Sequence, residues 1–214
     1  MFVNLSEAIF VLESKIRMIR AANKLFIVAS ILFLSNVSVA SANPDVWVRS
    51  AMIYGFEDGK LAAISFDWHF DEFFSSRTIW TYDTDQSGVL EKNEVEQLRK
   101  ELFDPLAQFG YHVHIWVAGE KRKDLEIKDF SVRSFGSVLV YHFTVVLTPN
   151  IDTDAGDVIV SLYDKSIYVD FDFVEKDFIR TQGVMNPGCK FRMARGKGVQ
   201  SGHRQPVTLK CGGK

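Results

Sequence analysis

The twelve residues Asp83-Thr84-Asp85-Gln86-Ser87-Gly88-Val89-Leu90-Glu91-Lys92-Asn93-Glu94 place oxygen-bearing groups at a spacing that suits a hard divalent cation. Calcium takes about six to eight oxygens, and an EF-hand loop supplies them from fixed positions. Asp83, Asp85 and Ser87 stand first, third and fifth. Gly88 is sixth, where the chain must turn sharply, and Val89 offers its backbone carbonyl at the seventh. Glu91 is ninth and Glu94 twelfth, the place of the bidentate closing carboxylate. The expected ligand set is therefore Asp83, Asp85, Ser87, Val89, Glu91 and Glu94 around calcium. Ser87 is neutral where many loops carry Asp, so the affinity expected is nearer the extracellular range of roughly 0.1–1 mM. Only one such loop is present, so a static brace is expected rather than a sensor that opens.

Other candidates are weaker. Asp152-Thr153-Asp154-Ala155-Gly156-Asp157 lacks a closing Glu and reads as an acidic turn between strands. His112 and His114 alternate on a predicted strand, Tyr111–Val117, which puts both rings on one face. Two imidazoles so placed could begin a zinc or nickel site, although a polar strand face is the plainer reading. His69, His142 and His203 are isolated in the sequence; the first two read as packed or hydrogen-bonded residues. There is no GxSxG elbow, phosphate-binding GxxxxGK[ST], HExxH or CxxC, so no catalytic set is expected. The competing reading is a calcium-stabilised exported enzyme or surface-binding protein whose site is assembled from distant residues.

The calcium loop needs a helix on each side. Asp71 can cap a helix running through Phe74 and Ile79 toward Tyr82. Asn93–Phe103 spaces Val95, Leu98 and Leu102 as a second helix, which Pro105 should end. Around this insert, at about 71–104, the chain reads as strands. Val46–Phe56 and Leu61–Phe70 form a hairpin about Glu57-Asp58-Gly59-Lys60. Phe130–Ser134 and Val138–Thr148 form a second about Gly136, and Asp157–Tyr163 with Tyr168–Val174 a third. The fold class expected is α+β, an antiparallel β-rich, sandwich-like body with an EF-hand-like helix–loop–helix insertion after the first hairpin.

Hydrophobic residues make up 47% of the 214, enough for one substantial core. The net charge of −2 argues against a nucleic-acid partner. Leu25–Ala40 is an apolar run preceded by Arg20 and Lys24 and followed by Ala40-Ser41-Ala42. That is the order of a cleaved signal peptide over residues 1–42, with Met18 an alternative start and no integral membrane segment left after cleavage. Residues 43–214 would then be a single periplasmic or secreted domain. In an oxidising compartment Cys189 and Cys211, the only cysteines, can bridge; free thiols or a metal pair are the alternatives. The basic tail 178–214 has no Asp or Glu and reads as a loosely ordered solvated terminus, or as a docking surface for an acidic partner or lipid headgroups.

Several segments together resemble a known family. They are Asn43-Pro44-Asp45-Val46-Trp47-Val48, Phe56-Glu57-Asp58-Gly59-Lys60-Leu61 and Trp68-His69-Phe70-Asp71-Glu72-Phe73 leading into the loop at Asp83. Val140-Tyr141-His142-Phe143, Tyr163-Asp164, Tyr168-Val169-Asp170-Phe171 and Gly188-Cys189 complete the set. As an ordered set they resemble domain of unknown function 1007, whose members are described as periplasmic components of an uncharacterised ABC-type transport system. The resemblance implies an exported accessory protein for nickel, cobalt or zinc transport, working with a membrane permease. Relatives usually begin the mature chain with His-Pro-His, whereas Asn43, Pro44 and Asp45 stand here. An amide and a carboxylate suit borderline metals less well than imidazole.

Overall fold

In the computed structural model, which describes residues 45–166, 168–193 and 205–212, the chain forms two β-sheets and a short helical region. The expected signal peptide over residues 1–42, Asn43-Pro44 and His203 lie outside the described residues.

Strand β1 (Val46–Glu57) turns at Asp58-Gly59 into β2 (Lys60–Phe70). Both turn residues have positive φ, 47° and 76°. That is the primed turn whose twist matches a hairpin, and glycine reaches it without steric cost. Every second residue of β1 from Val46 to Phe56 is buried, so one face carries the core. Asp71 then caps helix α1 (Glu72–Tyr82) by accepting from the Phe74 N–H at 2.9 Å. The other Asp71 oxygen accepts from the Trp47 N–H at 2.9 Å, so one carboxylate starts the helix and ties it to β1.

The acidic loop leads into α2 (Lys92–Leu98). Regular α-helix ends at Leu98, and a wider helical turn over Arg99–Phe103 follows. Pro105 does not stop the chain as its sequence position suggested. It sits in the first turn of a further helical run, Asp104–His112. There its missing N–H costs nothing and its fixed φ fits.

Strands β3 (Val113–Val117), β4 (Glu120–Lys121), β5 (Glu126–Phe135), β6 (Val138–Ile151), β7 (Val158–Leu162), β8 (Val169–Phe173), β9 (Ile179–Gln182), β10 (Lys190–Met193) and β11 (Val207–Lys210) complete the order. The first sheet runs β5-β6-β2-β1-β8, with β9 also against β1; the second runs β10-β11-β7-β3-β4. The first two expected hairpins are present, as β1–β2 and β5–β6. The third is not. β7 pairs β3 and β11 in the second sheet, while β8 pairs β1 in the first. The sheets are mostly antiparallel, but β8 and β9 run parallel to the two halves of β1. The supposedly loose tail supplies β9, β10 and β11.

One core joins the layers. Ile64, Phe66, Trp68 and Phe143 of the first sheet and Ile115, Val158, Val160 and Leu209 of the second belong to a single buried cluster. Tyr54 on β1 meets Phe191 on β10 with ring centroids 4.7 Å apart. Phe103 is fully buried and packs against Phe130 at 4.2 Å and Phe143 at 5.1 Å, anchoring the helical region to the sheet. Cys189 immediately precedes β10 and Cys211 immediately follows β11. Lys190 pairs Lys210, so the disulfide between these cysteines closes the open end of that strand pair. Among the described residues no helix is long and apolar enough to cross a membrane.

Candidate functional site

The carboxylates of the acidic loop turn inward. Asp83, Asp85 and Glu94 each present an oxygen within 4.8 Å of the others. Among the described residues they are the one group of three or more His, Cys, Asp or Glu side chains to converge in this way. Backbone geometry explains the convergence. Gly88 sits at φ 83°, which lets its N–H return to Asp83 Oδ2 at 2.8 Å. The Ser87 N–H is shared by Asp83 Oδ1 and Asp85 Oδ1, both at 3.0 Å. The Ser87 hydroxyl lies 2.9 Å from the Val89 carbonyl and 2.9 Å from Glu91 Oε1. All six expected ligand residues thus belong to one small hydrogen-bonded network.

Glu94 locks the loop to the second helix. Its Oε1 accepts from the Thr84 N–H at 2.6 Å and the Thr84 hydroxyl at 2.7 Å. Its Oε2 accepts from the Glu91 N–H at 3.1 Å, satisfying a free donor at the start of α2. The Thr84 hydroxyl and N–H, with help from Glu91, hold the Glu94 carboxyl at about 2 despite the opposing effect of burial. Glu94 therefore stays charged and oriented toward the loop. Every donor here is an oxygen, the ligand type that suits a hard cation. Thr84 was not among the residues singled out from the sequence, since its role depends on the loop closing.

The histidines behave differently. His112 is not on the strand; it follows Gly110 and Tyr111 in a left-handed stretch at φ 53°, just before β3. Both imidazoles nevertheless line one cavity of about 570 Å3 with Lys121, Tyr163, Asp164 and Lys165. The Lys121 ammonium can only donate, so at 3.1 Å the His114 Nδ1 accepts. The other nitrogen then carries the proton and donates to the Tyr163 carbonyl at 3.2 Å. Burial, and next the Lys121 ammonium, push His114 down to about 4, against the pull of that carbonyl. With both nitrogens engaged, His114 could ligate a metal only by giving up a partner.

His112 Nδ1 stands 3.8 Å from Asp164 Oδ1, too far for a hydrogen bond. Burial lowers its pKa, and Asp164 only partly opposes this. Burial raises Asp164, but donors from Ser166 and the Val169 N–H outweigh it and keep the carboxyl low. Asp164 stands in the Tyr163-Asp164 segment of the family resemblance, but its place beside His112 was not legible in the sequence, because fifty-two residues separate the two. His142 donates to the buried Asp67 at 2.8 Å, with Arg133 and Arg180 completing an ion-pair cluster on the sheet. In the acidic turn at 152–157, Asp152 accepts from the Asp154 N–H, Asp154 binds Asn186 and Asp157 faces Lys210. Those carboxylates are engaged separately and do not converge.

Fold and site together define a two-sheet β protein bearing an acidic loop between two helices. A family model described as "Protein of unknown function (DUF1007)" matches residues 28–210, and the chain belongs to that family. No curated protein matches the sequence.

Proposed function

We propose that the loop Asp83–Glu94 is an EF-hand-like calcium site, and that the protein is an exported accessory component of a transition-metal transport system. One observation carries the calcium reading: the oxygens of Asp83, Asp85 and Glu94 converge within 4.8 Å on a loop whose remaining donors are also oxygens. Four carboxylates stand within these twelve residues against one lysine, Lys92. A bound divalent cation would offset their mutual repulsion and tie the end of α1 to the start of α2. The hard-oxygen donor set favours calcium over zinc or nickel.

The transport reading rests on the ordered sequence resemblance and on the signal-peptide pattern before Asn43. In this reading the protein works in the periplasm beside a membrane permease for nickel, cobalt or zinc, and has no catalytic role. The cavity that holds His112 and His114 is the nearest counterpart to a transition-metal site.

Thermal melting of the metal-stripped protein tests both parts, because a ligand that binds only the folded state raises the melting temperature. Calcium is expected to raise it, and Glu94→Ala to abolish the rise. A calcium response unchanged by Glu94→Ala would remove the loop as the site. Stabilisation by zinc or nickel at lower concentration than calcium, lost on His112→Ala, would move the metal function to the histidine cavity. No response to either metal would remove the support for direct metal handling.

A further inference from the structure

The cavity of about 570 Å3 beside β3 carries an excess of one sign of charge. Lys121, Arg122, Lys123 and Lys165 line it against two carboxylates, Asp124 and Asp164, which leaves two positive charges over. Among the described residues the side chains of Arg122, Lys123 and Lys165 form no ion pair. Lys121 is anchored at the wall: its ammonium meets His114 Nδ1 at 3.1 Å and lies 5.6 Å from the centre of the Trp116 ring. An ammonium has three donors, so Lys121 keeps others for a ligand. Lys165 acts on the same floor, because after burial and Lys121 it too helps to push His114 down. Like charges gathered around one hollow repel, and a counter-charge placed among them relieves that repulsion.

The carboxylates do not cancel this field. Asp164 is 7% exposed, and its charge is already met by the N–H groups of Ser166, Tyr168 and Val169 at 3.0–3.2 Å. Asp124 alone is left to oppose four cations. Burial lowers both His112 and His114, so neither supplies a countervailing charge. The rest of the wall includes Phe109, Tyr111 and Leu125, and Phe109 is 55% exposed. The volume falls within the range of roughly 300–1,000 Å3 common to small-molecule sites, which leaves room for an organic body beside a charged headgroup.

We propose that this cavity binds a small organic anion, whose carboxylate or phosphate headgroup accepts from Lys121, Arg122 and Lys165 while its apolar body lies against Phe109 and Tyr111. A bare divalent cation is poorly served here, because it meets the same positive excess and His114 has both nitrogens engaged. The inference goes beyond the calcium and transition-metal readings and rests on neither.

Calorimetric titration of the full chain with phenyl phosphate, phenylacetate, phenylacetamide and phenethylammonium tests the sign of the site. The four share an aromatic body and differ in headgroup charge; at about pH 8 the phosphate monoester is a dianion. Both anions are expected to saturate, and the tighter of the two names the headgroup. Phenylacetamide should bind at least about tenfold more weakly than phenylacetate, the worth of a hydrogen bond to a charged group, and phenethylammonium should not bind. Lys165→Gln with Arg122→Gln should weaken the anions by about tenfold or more. Lys190→Gln with Arg192→Gln, on β10 outside the cavity, should leave their affinity unchanged and so separates the site from general attraction to basic residues. The wild-type His114 ring resonances give a readout that needs no substitution, and they should move with the anions. The proposal is overturned if neither anion saturates or if phenylacetamide binds as tightly as phenylacetate. It is equally overturned if the β10 pair of substitutions weakens the anions as much as the cavity pair does.

Discussion

Glu94 accepts two hydrogen bonds at one oxygen from Thr84, ten residues earlier, the N–H at 2.6 Å and the hydroxyl at 2.7 Å. The last carboxylate of the loop is thereby fastened to its second residue. If calcium binds here, this contact sets part of the geometry in advance. Thr84→Val removes the hydroxyl donor and keeps the N–H. It is expected to weaken calcium binding about fivefold, the usual worth of one hydrogen bond. Glu94→Gln should weaken it far more, by removing a charged ligand. Calorimetric titration of both variants checks the order, and equal losses would contradict it.

His114 governs a pH limb. Its folded pKa is lowered from 6.5 to about 4, so between those values the unfolded chain takes up a proton that the folded chain refuses. The stability it contributes is complete above about pH 6.5 and is lost as the pH falls toward 4. His112, also lowered, acts in the same direction. Urea unfolding measured from pH 7 to 4 should show this decline, and His114→Gln should flatten it. A stability that rises on acidification through that window would contradict the assignment.

The disulfide closes a loop that carries β10 and β11, and Phe191 on β10 packs against Tyr54 of the other sheet. A bridge over such a span contributes roughly 2–4 kcal/mol. Cys189→Ser with Cys211→Ser should lower stability by about that amount. Val207 and Leu209 amides should lose hydrogen-exchange protection before those of β2. Uniform loss across both sheets would show that β10–β11 does not open independently.

Phe103 tests how the helical region is held. It is fully buried between Phe130, Tyr111 and Phe143. Phe103→Ala should cost about 3–5 kcal/mol in chemical denaturation, the usual loss for a large aromatic taken from a core. A cost below about 1 kcal/mol would mean that the site collapses around the smaller side chain.

Local chemistry was legible in the sequence wherever neighbours in the chain are also neighbours in space. Asp71 as a helix cap, Asp58-Gly59 as a hairpin turn, and the acidic run between two helices all follow from spacings of a few residues. At that range the backbone itself constrains the geometry. Tertiary packing alone decided the rest. Alternation marks β7 and β8 as strands, but it carries no information about which sheet each joins. The choice fell to distant partners, β3 and β11 for one and β1 for the other. The same holds for His112 beside Asp164, and for Trp68 opposite Tyr141. The first pair meets because β3 lies beside β7 and the second because β2 lies beside β6, and no local rule decides pairings between segments so far apart in the chain.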